Sequence, residues 1–493
     1  MISKEDKLLV AAIDLGTVYS GYAFVYKHED FSKIKFNPAW SCGSLLSCKC
    51  PTCVLFDENK NFDSFGYEAE DKYSCLKYDN MHEKWYYFRR FKMSLHERKA
   101  DIDSGSLTLA LEPEAASMYC QLLIEKFSGS NRLTSNKYMI LDIGAITTEI
   151  TVYEKQADGS LRELHEPTGG AWGGTKVDEA FHQMLIKIVG AKTFKKFCDT
   201  QSDDHKDLLR ELELKKRTIT PVSDNKITVR MPISLTSLYE KECGKKIADA
   251  IKETSFKDKM IWTGDKARIE ADLIKGLFKE CTDGVTGCVR ELLQKPEIAD
   301  VNTFVMVGGF SESPMMQAAV KDAFPNAKII IPADAGQAVL KGAVVSGREP
   351  MKIASRIAKF TYGINISPPF DSTLHPQEKR VVVGGKERCK DVFKKYIQKG
   401  ESIKIGERRS GKHVSLKTNQ KELLLKIYAS ATKDPKFITD PGCEYLGRLI
   451  VKLPKAQNIF KVNVDMMFGQ TELLVEAEEE TSKQKFTSYF DFL

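Results

Sequence analysis

Two aspartates close apolar runs in the same way. In LLVAAIDLGTVYSGYAFVY, residues 8–26, the run ends at Asp14, Gly16 turns the chain, and an alternating strand follows over 20–26. In LDIGAITTEITVY, residues 141–153, Asp142 and Gly144 hold the same two places, and β-branched residues resume near Thr148. A glycine turn of this kind can cradle phosphate, because bare N–H groups face the anion and no Cβ blocks its approach. A third turn, FVMVGGFSESP, follows an apolar strand over 303–307 and opens a helix near Ser313. There Gly308 and Gly309 admit a ligand to the backbone, and the helix N-terminus adds partial positive charge. Alone, each aspartate reads as a strand-end turn residue. Two copies of one hairpin imply two related lobes, and three such turns in this order point to a phosphate-bearing ligand.

The elements that must position these turns need a long chain, and 493 residues allow two or three domains. The 74 Lys and Arg are interleaved with 68 Asp and Glu for a net charge of +6, so no nucleic-acid footprint is expected. The apolar run over 8–13 is too short for a signal peptide and reads as a buried strand, and no run reaches membrane-spanning length. A cytoplasmic protein without membrane partners is the expectation. Twelve cysteines in such a chain read as reduced thiols. Cys42, Cys48, Cys50 and Cys53 cluster in SCGSLLSCKCPTC. Cys50-x-x-Cys53 would suit a zinc knuckle, but the Cys48-x-Cys50 spacing is awkward and no second knuckle follows, which favours a cysteine-rich surface loop.

The three turns resemble the phosphate-one, phosphate-two and adenosine motifs of the actin, hexokinase and 70 kDa heat shock protein superfamily. LEPEAASMYC over 111–120 resembles its connecting strand and helix, TGGAWGGTKVDEAF over 168–181 its Gly-Gly loop, and ELELKKR its purine-clamping helix. FGYEAED, IIIPADAGQAVLKGAVVSG and FITDPG resemble the divergent 12A/12B branch of the 70 kDa heat shock family. The resemblance implies an α/β fold: a two-lobed, actin-like (ribonuclease H-like) nucleotide-binding domain over 1–350, with lobe I about 1–137 and lobe II about 138–350. It implies ATP or ADP with Mg²⁺ as cofactors. Asp14 and Asp142, with Glu149, would hold the metal, and Glu112 would lie near the attacking water. Gly16, Thr17, Val18, Tyr19, Lys92, Gly144, Ala145 and Thr147 would meet the phosphates, as would backbone N–H groups of Gly173, Gly174 and Thr175. Glu213, Lys216, Arg217, Gly308, Gly309 and Phe310 would enclose adenosine.

Several positions depart from the family. Ala145 and Ile146 stand where it has glycines, Glu149 where it has an aspartate, and Val18 where it has a hydroxyl. Its lysine after the third strand could be Arg90 or Lys92. Only nine residues separate Glu97 from the apolar run LTLAL over 107–111, too few for a crossover to a parallel strand. The first lobe is therefore expected to be short of a central strand, with LTLAL moved inward or a slot left open, and Glu112 displaced. Helical spacing is read over 176–189, 206–217 and 266–294. Residues 351–493 carry short alternating segments, LLLKIYA, GRLIVKLP, FKVNVDMMF and TELLVEA, which read as antiparallel strands. They resemble the family's β-sandwich, which binds protein segments, without its helical lid or the acidic tail that recruits co-chaperones. The resemblance implies an atypical chaperone with weak or lost ATPase activity. The alternative is a nucleotide-independent binding or scaffold protein in stress or immune response, and a metabolite kinase stands third.

Overall fold

The computed structural model describes residues 8–37, 40–42, 45–92, 110–126, 136–349, 353–455, 458–468 and 472–491. The chain forms two compact units, Met1–Ile150 with Thr168–Pro350, and Thr151–Pro167 with Met351–Leu493. The elements that build the first unit's site are, in chain order, β1 (Leu9–Leu15), β2 (Tyr19–Tyr26), β3 (Cys50–Pro51), α1 (Glu112–Lys126), β4 (Lys137–Ile143), β5 (Thr148–Lys155), α2 (Thr175–Val189), α3 (Ser202–Thr218), β6 (Thr303–Val307), α4 (Pro314–Ala323), β7 (Lys328–Ile330) and α5 (Ala338–Arg348).

β1 and β2 form an antiparallel hairpin in which Asp14 lies opposite Gly21. β3 joins the far side of β2, with Cys50 opposite Ser20. One face of the hairpin carries Ala12, Ala23 and Val25, which pack on Leu340, Val344 and Val345 of α5. α5 in turn lies close on α1, since a Cβ on Gly342 would come within 1.7 Å of the Ala115 carbonyl. The opposite face carries Leu9, Ile13, Tyr22 and Tyr26, all exposed. This corrects the expectation of a buried strand over 8–13: Leu8 is 82% and Ile13 81% exposed. An antiparallel strand sends alternate side chains to opposite faces, so one packed face buries only half of an apolar run. Among the described residues β1 pairs with β2 alone. LTLAL, expected to move inward, lies mostly outside the described residues.

The second repeat is different. β4 lies between β6 and β5 and pairs in parallel with β6, as β6 does with β7. Met139, Ile140, Leu141 and Ile143 are fully buried, as befits a parallel strand covered on both faces. α2 and α3 lie close to the expected helices over 176–189 and 206–217. The continuous helix expected over 266–294 is instead a strand, Lys266–Ile269, and two helices, Ala271–Gly276 and Lys279–Leu293. Ile269 stands at helical spacing from Leu273, Leu277 and Cys281. It belongs to a period-two stretch with Ala267, both buried and both facing one way.

The second unit contains two four-stranded antiparallel sheets. One runs in the order Val392–Ile397, Thr361–Ile366, Glu422–Ser430, Cys443–Lys452; the other runs Arg408–Val414, Lys461–Phe468, Glu472–Glu479, Lys485–Asp491. Tyr362, Ile427 and Val451 from the first share one core with Val464, Met466 and Val475 from the second. Alternate residues reach that core, which is why these segments read as strands. Among the described residues no helix is long and apolar enough to cross a membrane.

Candidate functional site

The two hairpin turns are held by backbone contacts, and the first leaves no room for a side chain at Gly16. A Cβ on Gly16 would lie 2.3 Å from the Tyr19 carbonyl oxygen, and the Thr52 hydroxyl donates to the Gly16 carbonyl at 2.7 Å. In the second turn Gly144 N–H donates to the Thr147 carbonyl at 2.9 Å. The third turn comes against the second: Gly308 has φ of +87°, and a Cβ there would meet Asp142 Oδ1 at 2.4 Å. Glycine is thus required both by the left-handed backbone and by the carboxylate it faces.

Between the turns lies a cleft of about 280 Å³. Val18 and Tyr19 line it from the first turn, Ala145 from the second, and Gly309 and Phe310 from the third. Gly174, Thr175 and Asp178 enter from the start of α2, Glu213, Lys216 and Arg217 from α3, and Gly336 and Gln337 from the turn before α5. Ten residues expected in the site therefore line one cavity. Gly16, Thr17, Gly144, Thr147, Gly173 and Gly308 belong to the turns behind it. Arg90 lines the cleft, whereas Lys92 acts on Glu112, the first residue of α1. Glu149 lies on β5, close enough for its charge to act on Asp142.

One end is an ion-pair network on α3. Lys216 Nζ is 2.8 Å from both Asp178 Oδ1 and Glu213 Oε2, and Arg217 Nε is 2.9 Å from Glu213 Oε1. Burial pushes the Glu213 carboxyl up, but Lys216 and Arg217 outweigh it and hold Glu213 below its usual range. Burial, then Glu213 and Asp178, raise the Tyr19 phenol. The Phe310 ring stacks on Phe278 with centroids 6.2 Å apart, and a Cβ on Gly174 would touch it at 3.0 Å. Gln337 Oε1 is buried without a hydrogen-bond partner among the described residues.

The other end differs from expectation in two ways. Gly173, Gly174 and Thr175 were expected to offer N–H groups to phosphate. Those groups instead donate to the carbonyls of Ile146 at 2.9 Å, Gly144 at 3.2 Å and Ala145 at 2.8 Å. The glycine loop and the second turn close on each other, and the donors are already used. The second difference concerns the acids. Asp14 Oδ2 lies 2.6 Å from Lys49 Nζ, both side chains largely shielded. Among the described residues no three acids, histidines or cysteines gather into a set able to hold a metal ion. As arranged, the Asp14 carboxylate is paired with the Lys49 ammonium. Burial pushes the Asp142 carboxyl up to about 7, with Glu112 adding to the rise. Burial, then Asp14, also raise Glu112. Burial opposes the Lys49 ammonium, but Asp14, then Asp142 and Glu112, outweigh it and raise its pKa.

The cysteine cluster also needs correction. Cys50 and Cys53 are buried, not in a surface loop, and their thiols donate to the carbonyls of Ser20 at 3.7 Å and Gly66 at 3.2 Å. Burial pushes both thiols up to about 11, which keeps them protonated.

Reading from the sequence missed Lys49, Arg89, Lys206, Arg210 and Gln337, all of which line the cleft. Lys206, Arg210, Glu213 and Arg217 recur at intervals of four, three and four, one face of α3, so that stripe could have been found. Lys49 carried no local signal, because β3 is two residues long and its pairing is with distant β2.

No family model matches the chain. Among curated proteins, heat shock 70 kDa protein 12A of Homo sapiens is 28% identical over 99% of this chain and 92% of its own length. Its Mus musculus counterpart is also 28% identical, over 99% and 92%. Heat shock 70 kDa protein 12B of Homo sapiens is 26% identical over 98% and 91%. The alignment to human 12A spans 625 positions, more than the 493 residues here, so that relative carries segments with no counterpart in this chain. The likeness runs from end to end rather than over one motif, and it is to the 12A/12B branch of the 70 kDa heat shock protein family.

Proposed function

We propose that the chain is an atypical 70 kDa heat shock protein that binds an adenine nucleotide in the cleft of its first unit and hydrolyses it weakly or not at all. In this reading the first unit is a two-lobed actin-like fold with a shortened first lobe. The paired sheets of the second unit are a β-sandwich that holds extended protein segments in the cytoplasm. The observation that carries the nucleotide reading is the convergence of all three glycine turns and the α3 stripe on one cavity. Seven basic and four acidic side chains line it, an excess of positive charge that favours a polyanion. The partnerless Gln337 Oε1 would accept from an exocyclic amine of a base, and Phe310 with the stem of Arg217 would flank the ring.

The phosphate end explains why turnover would be poor. Phosphoryl transfer depends on positioned donors and charge neutralisation. Here the N–H groups of Gly173, Gly174 and Thr175 are engaged, and Ala145 adds a methyl group. An azido-adenosine diphosphate photoprobe tests the site directly. It should label peptides from 206–217 or 308–312, in competition with ADP, and labelling confined to other regions would refute the placement.

The engaged donors also favour a second reading, a nucleotide-independent scaffold. It predicts no specific labelling at all, with protein-segment binding by the second unit intact. Fluorescent extended peptides, titrated against the full chain with and without ADP, separate the two.

A further inference from the structure

We infer that Lys49 stands in for the divalent cation of the cleft, so that the nucleotide diphosphate is held there without a metal. The inference deepens the adenine-nucleotide reading and rests on it. Asp14, at the end of the first apolar strand, is half of the acid pair expected to organise a hydrated Mg²⁺. Its Oδ2 is instead 2.6 Å from Lys49 Nζ, with the two side chains 12% and 25% exposed. This is no chance surface contact, because three pieces of backbone set it. Asp14 pairs with Gly21 across the hairpin, and β3 pairs with the adjacent Ser20. The Lys49 stem then runs over Gly21, where a Cβ would approach its Cγ to 3.3 Å. The absent side chain at Gly21 is what leaves room for the lysine. From there Lys49 lines the cleft beside Val18 and Ala145, the two phosphate-facing turns.

A fixed ammonium supplies one positive charge and three donors at the place where a hydrated ion would bridge acid and phosphate. Occupying Asp14, it also removes the anion that would recruit the ion. A single charge suffices to neutralise part of a diphosphate, but not to draw charge off a terminal phosphoryl group in transfer, in keeping with poor hydrolysis.

The test is calorimetric titration of the full chain with ADP, once with excess Mg²⁺ and once with EDTA, for the wild type, Lys49→Met and Lys49→Arg. The wild type should bind with affinities within about twofold in the two buffers. Lys49→Met should bind about tenfold or more weakly in EDTA, the scale of one charge-assisted contact, and recover part of the loss with Mg²⁺. Lys49→Arg should stay closer to the wild type. Should Lys49→Met fail to fold because Asp14 is left unpaired, the double variant Asp14→Asn with Lys49→Met removes both charges and should show the same loss in EDTA. Wild-type ADP binding strengthened about tenfold by Mg²⁺ would overturn the inference and leave the nucleotide reading standing. ADP binding in neither buffer would overturn that reading itself.

Discussion

At the scale of single residues, the glycine turns separate stability from ligand contact. Gly308 has a left-handed φ and faces Asp142 at 2.4 Å, whereas nothing lies within 4 Å of a Cβ on Gly309, which lines the cleft. Gly308→Ala should therefore destabilise the first unit by about 1–3 kcal/mol, the scale of a non-glycine residue forced into that region. Gly309→Ala should leave the melting temperature nearly unchanged and weaken ADP binding. Thermal melts with parallel titrations check both, and equal melting temperatures for the two variants would contradict the assignment. A second residue-scale prediction concerns His413 in the second unit. Its Nε2 and the Tyr396 hydroxyl are 2.7 Å apart, and burial, then Lys394, press its pKa down to about 4. An unfolded histidine titrates at about 6.5, so the folded form binds fewer protons between the two values. Stability from the neutral ring is present above about pH 6.5 and is lost as pH falls toward 4. The melting transition of the second unit should fall across that window, and His413→Gln should flatten the fall.

At the scale of elements, the two repeated hairpins have unequal surroundings. β4 is buried on both faces, whereas β1 packs on α5 by one face and leaves Leu9, Ile13, Tyr22 and Tyr26 exposed on the other. Ile140→Ala should cost about 2–5 kcal/mol, while Ile13→Ser should stay within about 0.5 kcal/mol. In hydrogen exchange, amides of β1 should be less protected than those of β4, and equal protection would mean that β1 is covered in solution. The same contrast marks what the sequence disclosed. Asp14-x-Gly16 and Asp142-x-Gly144 are local patterns, so both hairpins were legible, as were the α3 stripe and the alternation of 461–468. Burial of β1 was not, because it depends on what lies across the sheet. The break of 266–294 into a strand and two helices was hidden for a related reason, since Ile269 satisfies a period of two as well as one of 3.6. Lys49 and the engaged N–H groups of Gly173, Gly174 and Thr175 are tertiary facts that no neighbouring residue announces.

At the scale of the molecule, the cleft proposed to take a nucleotide has the glycine loop and the second turn bonded to each other at one end. Phosphate release from ATP by the full chain should be indistinguishable from a blank without protein. Replacing Ala145 and Ile146 by glycine should not restore it, because Gly173, Gly174 and Thr175 would still be bonded to the turn's carbonyls. Turnover at a rate usual for an ATPase would contradict the closed phosphate end. Binding of an adenine nucleotide in the cleft between the three turns is measured by calorimetric titration of the wild type and Arg217→Ala with ADP and ATP. The expected result is one site per chain, ADP bound at least as tightly as ATP, and a loss of about tenfold or more in Arg217→Ala. Absence of binding in the wild type, or an affinity untouched by Arg217→Ala, would contradict it.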